Sequence, residues 1–200
     1  NLKDYDNFSG LVVFYRLNGN ANDSSGNGTH ASASTNTYTE DQHGNQNSAF
    51  SFNGVNNYIF KSSFISDASS FFGKTAYTVS FWIKADNDPD TSGIQTVIQI
   101  GQETGAFTWS HTDPGIRVPT WFVLRNGSGD WSEISYTTPL KANIWYFLTI
   151  TYDSSVGIKL YLNDKLDSLD YSTTGGLANP SALDLLINGW TLGVSHFPGD

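Results

Sequence analysis

The stretch Tyr77-Thr78-Val79-Ser80-Phe81-Trp82-Ile83-Lys84 constrains this chain more than any other. Its residues alternate, so Tyr77, Val79, Phe81 and Ile83 share one face of an extended segment. Thr78, Ser80, Trp82 and Lys84 share the other. A helix has no use for that pattern, because its faces repeat every 3.6 residues. Strand-like segments recur at Leu11 to Leu17, Ala49 to Phe52, Asn57 to Phe60, Thr96 to Ile100, Thr120 to Arg125 and Trp131 to Tyr136. Others follow at Trp145 to Tyr152, Ile158 to Asn163 and Leu183 to Ile187. Turn residues punctuate them: Asn53-Gly54, Asn126-Gly127, Asp153-Ser154-Ser155, Asn163-Asp164 and Gly175-Gly176. Only Ile65 to Phe72 reads as a short helical turn. Many strands with regular turns predict an all-β fold, an antiparallel two-sheet β-sandwich of the jelly-roll kind. At 200 residues the expectation is one domain over 1–200. Phe52, Phe81, Ile83, Ile150, Leu160 and Leu162 are the expected core.

The residues between the strands narrow the partners. Ten Lys and Arg stand against 19 Asp and Glu, a net charge of -9. Such a surface repels phosphate backbones, so no nucleic-acid partner is expected. No basic run suits an anionic membrane surface, and no apolar stretch approaches the ~20 residues of a membrane span. Charged residues are only 14% of the chain, so Asn, Ser, Thr and Gly supply the polar surface, which suits neutral, hydroxyl-rich ligands. There is no Cys, which removes disulfides and thiolate metal sites. No leader opens the chain, and its start at Asn1 reads as that of a mature or excised domain.

Five ordered segments resemble the laminin G-like, concanavalin A-like lectin/glucanase superfamily. They are Leu17 to Gly28, Ala49 to Gly54 with Tyr58-Ile59, Tyr77 to Lys84, Trp145-Tyr146 leading to Thr151-Tyr152-Asp153, and Lys159 to Asn163. The resemblance implies the jelly roll, a carbohydrate-binding-module-like role and a structural calcium ion near the polar loops. It also implies a final strand after a Gly-x-Ile-Asp-like step. Here the sequence stops at Phe197-Pro198-Gly199-Asp200, so that strand is missing or the sandwich closes differently.

The glucanases of that superfamily pair two catalytic Glu two residues apart on one strand, since alternate residues enter the same groove. This chain has three Glu, namely Glu40, Glu103 and Glu133, and none has an acid two residues away. No enzyme is therefore expected. The four His (His30, His43, His111, His196) show no zinc spacing. For calcium, Asn20, Asp23, the loop carbonyls near Gly44, and Asp200 supply the oxygen ligands this ion favours. The competing reading is that Asp23 caps its own turn. Asp86-Asn87-Asp88-Pro89-Asp90 reads as a solvated hairpin loop, because Gly93 and Val97 break the helical calcium-loop pattern.

The six Trp divide in two. Trp82 and Trp145 lie in core-strand motifs and read as packing residues. Trp109, Trp131 and Trp190 lie beside Gly-, Ser- and Thr-rich stretches, as does Trp121. An indole stacks on the C–H face of a sugar while nearby polar groups orient its hydroxyls. Trp109 and Trp190 are the first expected sugar contacts, with Trp131 in reserve and His111 and Arg117 as orienting partners. For a uronic or sulfated glycan, Arg117 and Arg125 become the anion contacts. The chain is thus expected to be a non-catalytic carbohydrate-binding or lectin-like domain that binds a polysaccharide or glycan. Its setting is a larger secreted or cell-surface bacterial protein with covalently linked neighbouring domains. A laminin G-type adhesion or protein-interaction domain is the alternative. A polysaccharide hydrolase or lyase is the third reading.

Overall fold

A computed structural model describes residues 10–65, 76–86, 95–100, 107–110, 121–125, 131–138, 140–153, 156–170 and 183–192. The described residues form strands and no helix, as the alternation predicts. The short strands β1 (Ser32–Ala33), β2 (Tyr38–Thr39) and β3 (Ala49–Phe50) precede β4 (Ile59–Ile65), β5 (Ala76–Ile83), β6 (Gln95–Ile100) and β7 (Phe107–Ser110). Then come β8 (Trp121–Arg125), β9 (Trp131–Ser135), β10 (Tyr146–Asp153), β11 (Gly157–Leu162), β12 (Lys165–Asp170) and β13 (Leu183–Leu192). One sheet has seven strands in the order β1-β4-β13-β6-β7-β8-β9, and the other has four, β12-β11-β10-β5. A β2-β3 pair stands apart from both. Every pairing is antiparallel.

The four-stranded sheet shows why the alternation is so strict. Phe81 pairs with Leu148, which pairs with Leu162; Val79 pairs with Ile150, which pairs with Leu160. Leu148, Ile158 and Leu160 are fully buried, and Ile150 and Leu162 nearly so. Paired residues share a face, so this is the inner face. Phe52, Phe81 and Ile83, expected to be buried, are only half-buried. The β11-β12 hairpin closes on Asn163-Asp164, as the sequence predicts, with φ of 47° and 70°. Two consecutive left-handed residues make the tight turn whose twist matches the strands. Asn163 also anchors itself sideways: its Oδ1 accepts the Phe147 N–H at 2.8 Å, and its own N–H donates to the Phe147 carbonyl at 2.8 Å.

The strand expectations need correction in both directions. Leu11 to Leu17 is not a strand; it holds a single bridge from Tyr15 to Asp23. The chain there is instead tied down by side chains, which a periodicity reading cannot see. Phe107–Ser110 and Lys165–Asp170 are strands that the sequence reading missed, because Gly-rich and charged stretches obscure their alternation. Of the expected helical turn, Ile65 ends β4, and the remainder lies outside the described residues.

The inner face of the seven-stranded sheet is fixed from both ends. At one end, Ile59 is fully buried against Ala21 and Phe50. Its row runs Ala33, Ile59, Ile187, Ile98. At the other end Tyr136, 1% exposed, continues the set Ser132, Ile134. Its hydroxyl reaches the carbonyls of Thr149 and Tyr161 in the second sheet, at 3.4 and 3.5 Å. Burial, and then the Asp167 carboxylate, hold this phenol well above its ordinary pKa, so it stays a donor. Register joins the two ends: Ile100 pairs with Phe107, and Trp109 pairs with Phe122, which pairs with Ile134.

Candidate functional site

Pleat parity sorts the expected sugar contacts. Trp109 stands two residues from Phe107 and so belongs to the face that carries Ile59 and Tyr136. That is the core face, and Trp109 is not a loop residue but a member of β7. The opposite face carries Gln99, Thr108, Val123 and Glu133 in one row and Ser110, Trp121 and Ser135 in the next. Arg125 pairs with Trp131 on that same face. Trp121 and Trp131 are thus separated by about 14 Å, four residues along the strand and one strand across. Trp190 lies in β13 within the irregular stretch between Ile187 and Thr191, and so belongs to neither row. His111, Arg117 and Asp200 lie outside the described residues. Val97, which shares the parity of Gln99, is 4% exposed, so at β6 this parity does not face open solvent.

Around Asp23 the sequence left two readings open, and the geometry separates them. Asp23 Oδ1 accepts the N–H of Phe14 at 3.0 Å and of Ser25 at 2.8 Å. Its Oδ2 accepts the Ser25 hydroxyl at 2.8 Å and the Thr29 N–H at 3.0 Å. Its own N–H donates to His30 Nδ1 at 3.1 Å. Burial raises the pKa of this carboxyl, while the bonds from Phe14, Ser25 and Thr29 lower it further, so the net shift is downward. A carboxylate offers about four lone-pair sites, and each is met here by a proton donor.

Calcium requires six to eight oxygens facing the ion, and this donor set does not fit it. Asn20 Oδ1 is likewise engaged by the Asn22 N–H at 2.9 Å. Gly44, at φ 80°, closes a different turn, donating its N–H to the Asp41 carbonyl at 3.1 Å. Among the described residues no three His, Cys, Asp or Glu gather for a metal. Asp23 therefore takes the capping role. A melting temperature unchanged by chelator is the expected result, since only a ligand of the folded state raises stability. A fall on chelation would restore calcium.

The sequence reading missed one exposed aromatic. Trp82, expected to pack, is 44% exposed on the outer face of the four-stranded sheet. Its ring lies 5.1 Å from that of Phe147, its cross-strand partner. Beside them the Lys84 ammonium sits 5.1 Å from the Trp145 ring centroid and 3.9 Å from Glu40. The alternation already placed Trp82 with Thr78 and Ser80, away from Phe81; that parity was the available signal. Along the same strands a concavity of about 350 Å³ is lined by Ala76, Thr78, Thr151, Asp153, Val156, Gly157 and Lys159.

Comparison with known proteins agrees with this architecture. The family model described as the concanavalin A-like lectin/glucanases superfamily matches residues 53–200. Similar solved structures include the botulinum neurotoxin serotype D ligand-binding domain in complex with N-acetylneuraminic acid. It is 18% identical with a TM-score of 0.62, over 87% of this chain and 41% of that one. A botulinum neurotoxin type C structure, whose cell entry is described as dependent on two ganglioside molecules, is 13% identical with a TM-score of 0.62. That match covers 92% of this chain and 44% of that one. The binding domain of botulinum neurotoxin DC in complex with rat synaptotagmin II is 13% identical with a TM-score of 0.61, over 86% and 41%. The chain thus spans less than half the length of each. No curated protein matches the sequence.

Proposed function

The chain belongs to the concanavalin A-like lectin/glucanases superfamily, and on that premise we propose that it is a non-catalytic carbohydrate-binding domain of a larger secreted protein. The observation that carries this reading is the outer face of β8 and β9. There Trp121, Trp131, Arg125 and Glu133 share one side of the sheet, away from the core. Two Trp positions whose backbones lie about 14 Å apart by strand spacing suit contacts to separate rings of one glycan. The same parity brings Arg125, a donor suited to a hydroxyl, carboxylate or sulfate, and Glu133, an acceptor, to that side of the sheet. Glu133 has no acid two residues away, so the paired-Glu arrangement of a glucanase does not form on its strand.

Neighbours that carry N-acetylneuraminic acid or depend on gangliosides support a glycan ligand. The neighbour bound to synaptotagmin supports a second reading, a protein-interaction domain. A glycan array probed with the purified chain separates the two. Selective signals on related glycans support carbohydrate binding, and a blank array favours a protein partner. Release of products from the array hits would make the chain an enzyme instead.

A further inference from the structure

We propose a second saccharide platform on the outer face of the four-stranded sheet, centred on Trp82 and taking a neutral linear oligosaccharide. It stands independently of the β8-β9 face.

Register lays the platform out in rows. Trp82 pairs with Phe147; Ser80 pairs with Thr149, which pairs with Tyr161; Thr78 pairs with Thr151, which pairs with Lys159; and Ala76 pairs with Asp153, which pairs with Gly157. From Trp82 to Thr78 the strip runs about 14 Å. One end holds the exposed indole, propped by the Phe147 ring. The middle is a double row of hydroxyls from Ser80, Thr149, Thr78 and Thr151. The far end sinks into the concavity of about 350 Å³, where Asp153 and Lys159 both line the wall. That volume lies at the lower limit of small-ligand pockets, about 300–1,000 Å³.

Each feature answers one part of a neutral sugar. The ring C–H face needs an open aromatic, and Trp82 is 44% exposed, whereas the Trp145 ring faces the Lys84 ammonium. Sugar hydroxyls both donate and accept, and so suit a wall that carries one anion and one cation. A charged ligand would be repelled by one of the two.

The test is calorimetry with cellohexaose, laminarihexaose, xylohexaose and mannohexaose. The starting protein is the full chain carrying Trp121→Ala and Trp131→Ala, so that the seven-stranded face is disabled. The proposal expects at least one probe to bind this protein. Adding Trp82→Ala is expected to weaken that binding about tenfold or more. Ser80→Glu, which obstructs the strip without truncating the aromatic pair, is expected to do the same. Melting curves matching the starting protein establish that both variants fold. The proposal is overturned if none of the four probes binds, or if both folded variants bind as tightly as the starting protein. Loss of binding in the Trp121→Ala/Trp131→Ala protein alone would support the β8-β9 face and overturn the Trp82 platform, which keeps the two sites distinguishable.

Discussion

Replacing Asp23 with alanine is expected to cost about 3 kcal/mol of folding stability, because it strands three backbone N–H groups and one hydroxyl in a partly buried loop. The four bonds reach Phe14, Ser25 and Thr29, so one side chain ties residues nine before and six after it. No long ladder of strand hydrogen bonds shares the load: beside the Tyr15–Asp23 bridge, the Ser24 N–H donates to the Phe14 carbonyl at 2.7 Å and the Asn27 amide donates to the Leu11 and Val12 carbonyls at 2.8 and 3.0 Å. Tyr15 adds one cross-link, its hydroxyl donating to the Thr29 carbonyl at 2.6 Å. Asp23→Asn keeps the shape but turns one acceptor into a donor facing N–H groups, so an intermediate loss is expected.

The same carboxylate sets a pH dependence. Its folded pKa lies below the ordinary value, so its contribution is fully present above the unfolded value of about 3.9. That contribution is lost as the pH falls through the folded pKa below it. Urea unfolding of the parent and of Asp23→Ala should therefore differ most at neutral pH and converge in acid. A loss below about 1 kcal/mol at pH 7 would mean that the loop is held by something other than Asp23.

Leu160→Ala is expected to cost about 3–4 kcal/mol, the range for removing a large aliphatic from a close-packed site. Leu160 is fully buried, and its row neighbours Ile150 and Val79 come from two other strands. The cavity thus opens at the centre of the four-stranded sheet, where three strands would have to shift to fill it. Denaturant unfolding measures the loss directly. A cost near 1 kcal/mol would mean that the inner face is loosely packed.

The legible part of the fold was the part governed by parity. Tyr77 to Lys84 gave its strand, its buried face and its polar face at once, because the core imposes one period over eight residues. The Asn163-Asp164 turn was equally legible, since few residues tolerate a left-handed backbone. Leu11 to Leu17 misled for the opposite reason: an apolar run carries no information about whether a partner strand is available, and here a carboxylate replaces the partner. The expected sugar contacts were read from neighbouring Gly, Ser and Thr, which mark loops only loosely. Trp121 and Trp131 lie in strands that the alternation already gave, whereas Trp109 and Trp190 proved to be strand residues beyond the expected segments. Which face a strand Trp takes depends on pairing with strands far away in sequence, and a single sequence does not contain that pairing. Trp82 shows the reverse error. Membership of a core-strand motif outweighed its parity, and parity was right.

The most direct test of carbohydrate binding through the β8-β9 face is calorimetry with an array-selected oligosaccharide on Trp121→Ala, Trp131→Ala and Trp109→Ala. Trp121→Ala and Trp131→Ala are expected to stay folded and each to bind about tenfold more weakly or worse. Trp109→Ala is expected to lose stability instead, as the parity of its register row implies. Full affinity in both Trp121→Ala and Trp131→Ala, with binding lost in a stably folded Trp109→Ala, would contradict binding through this face.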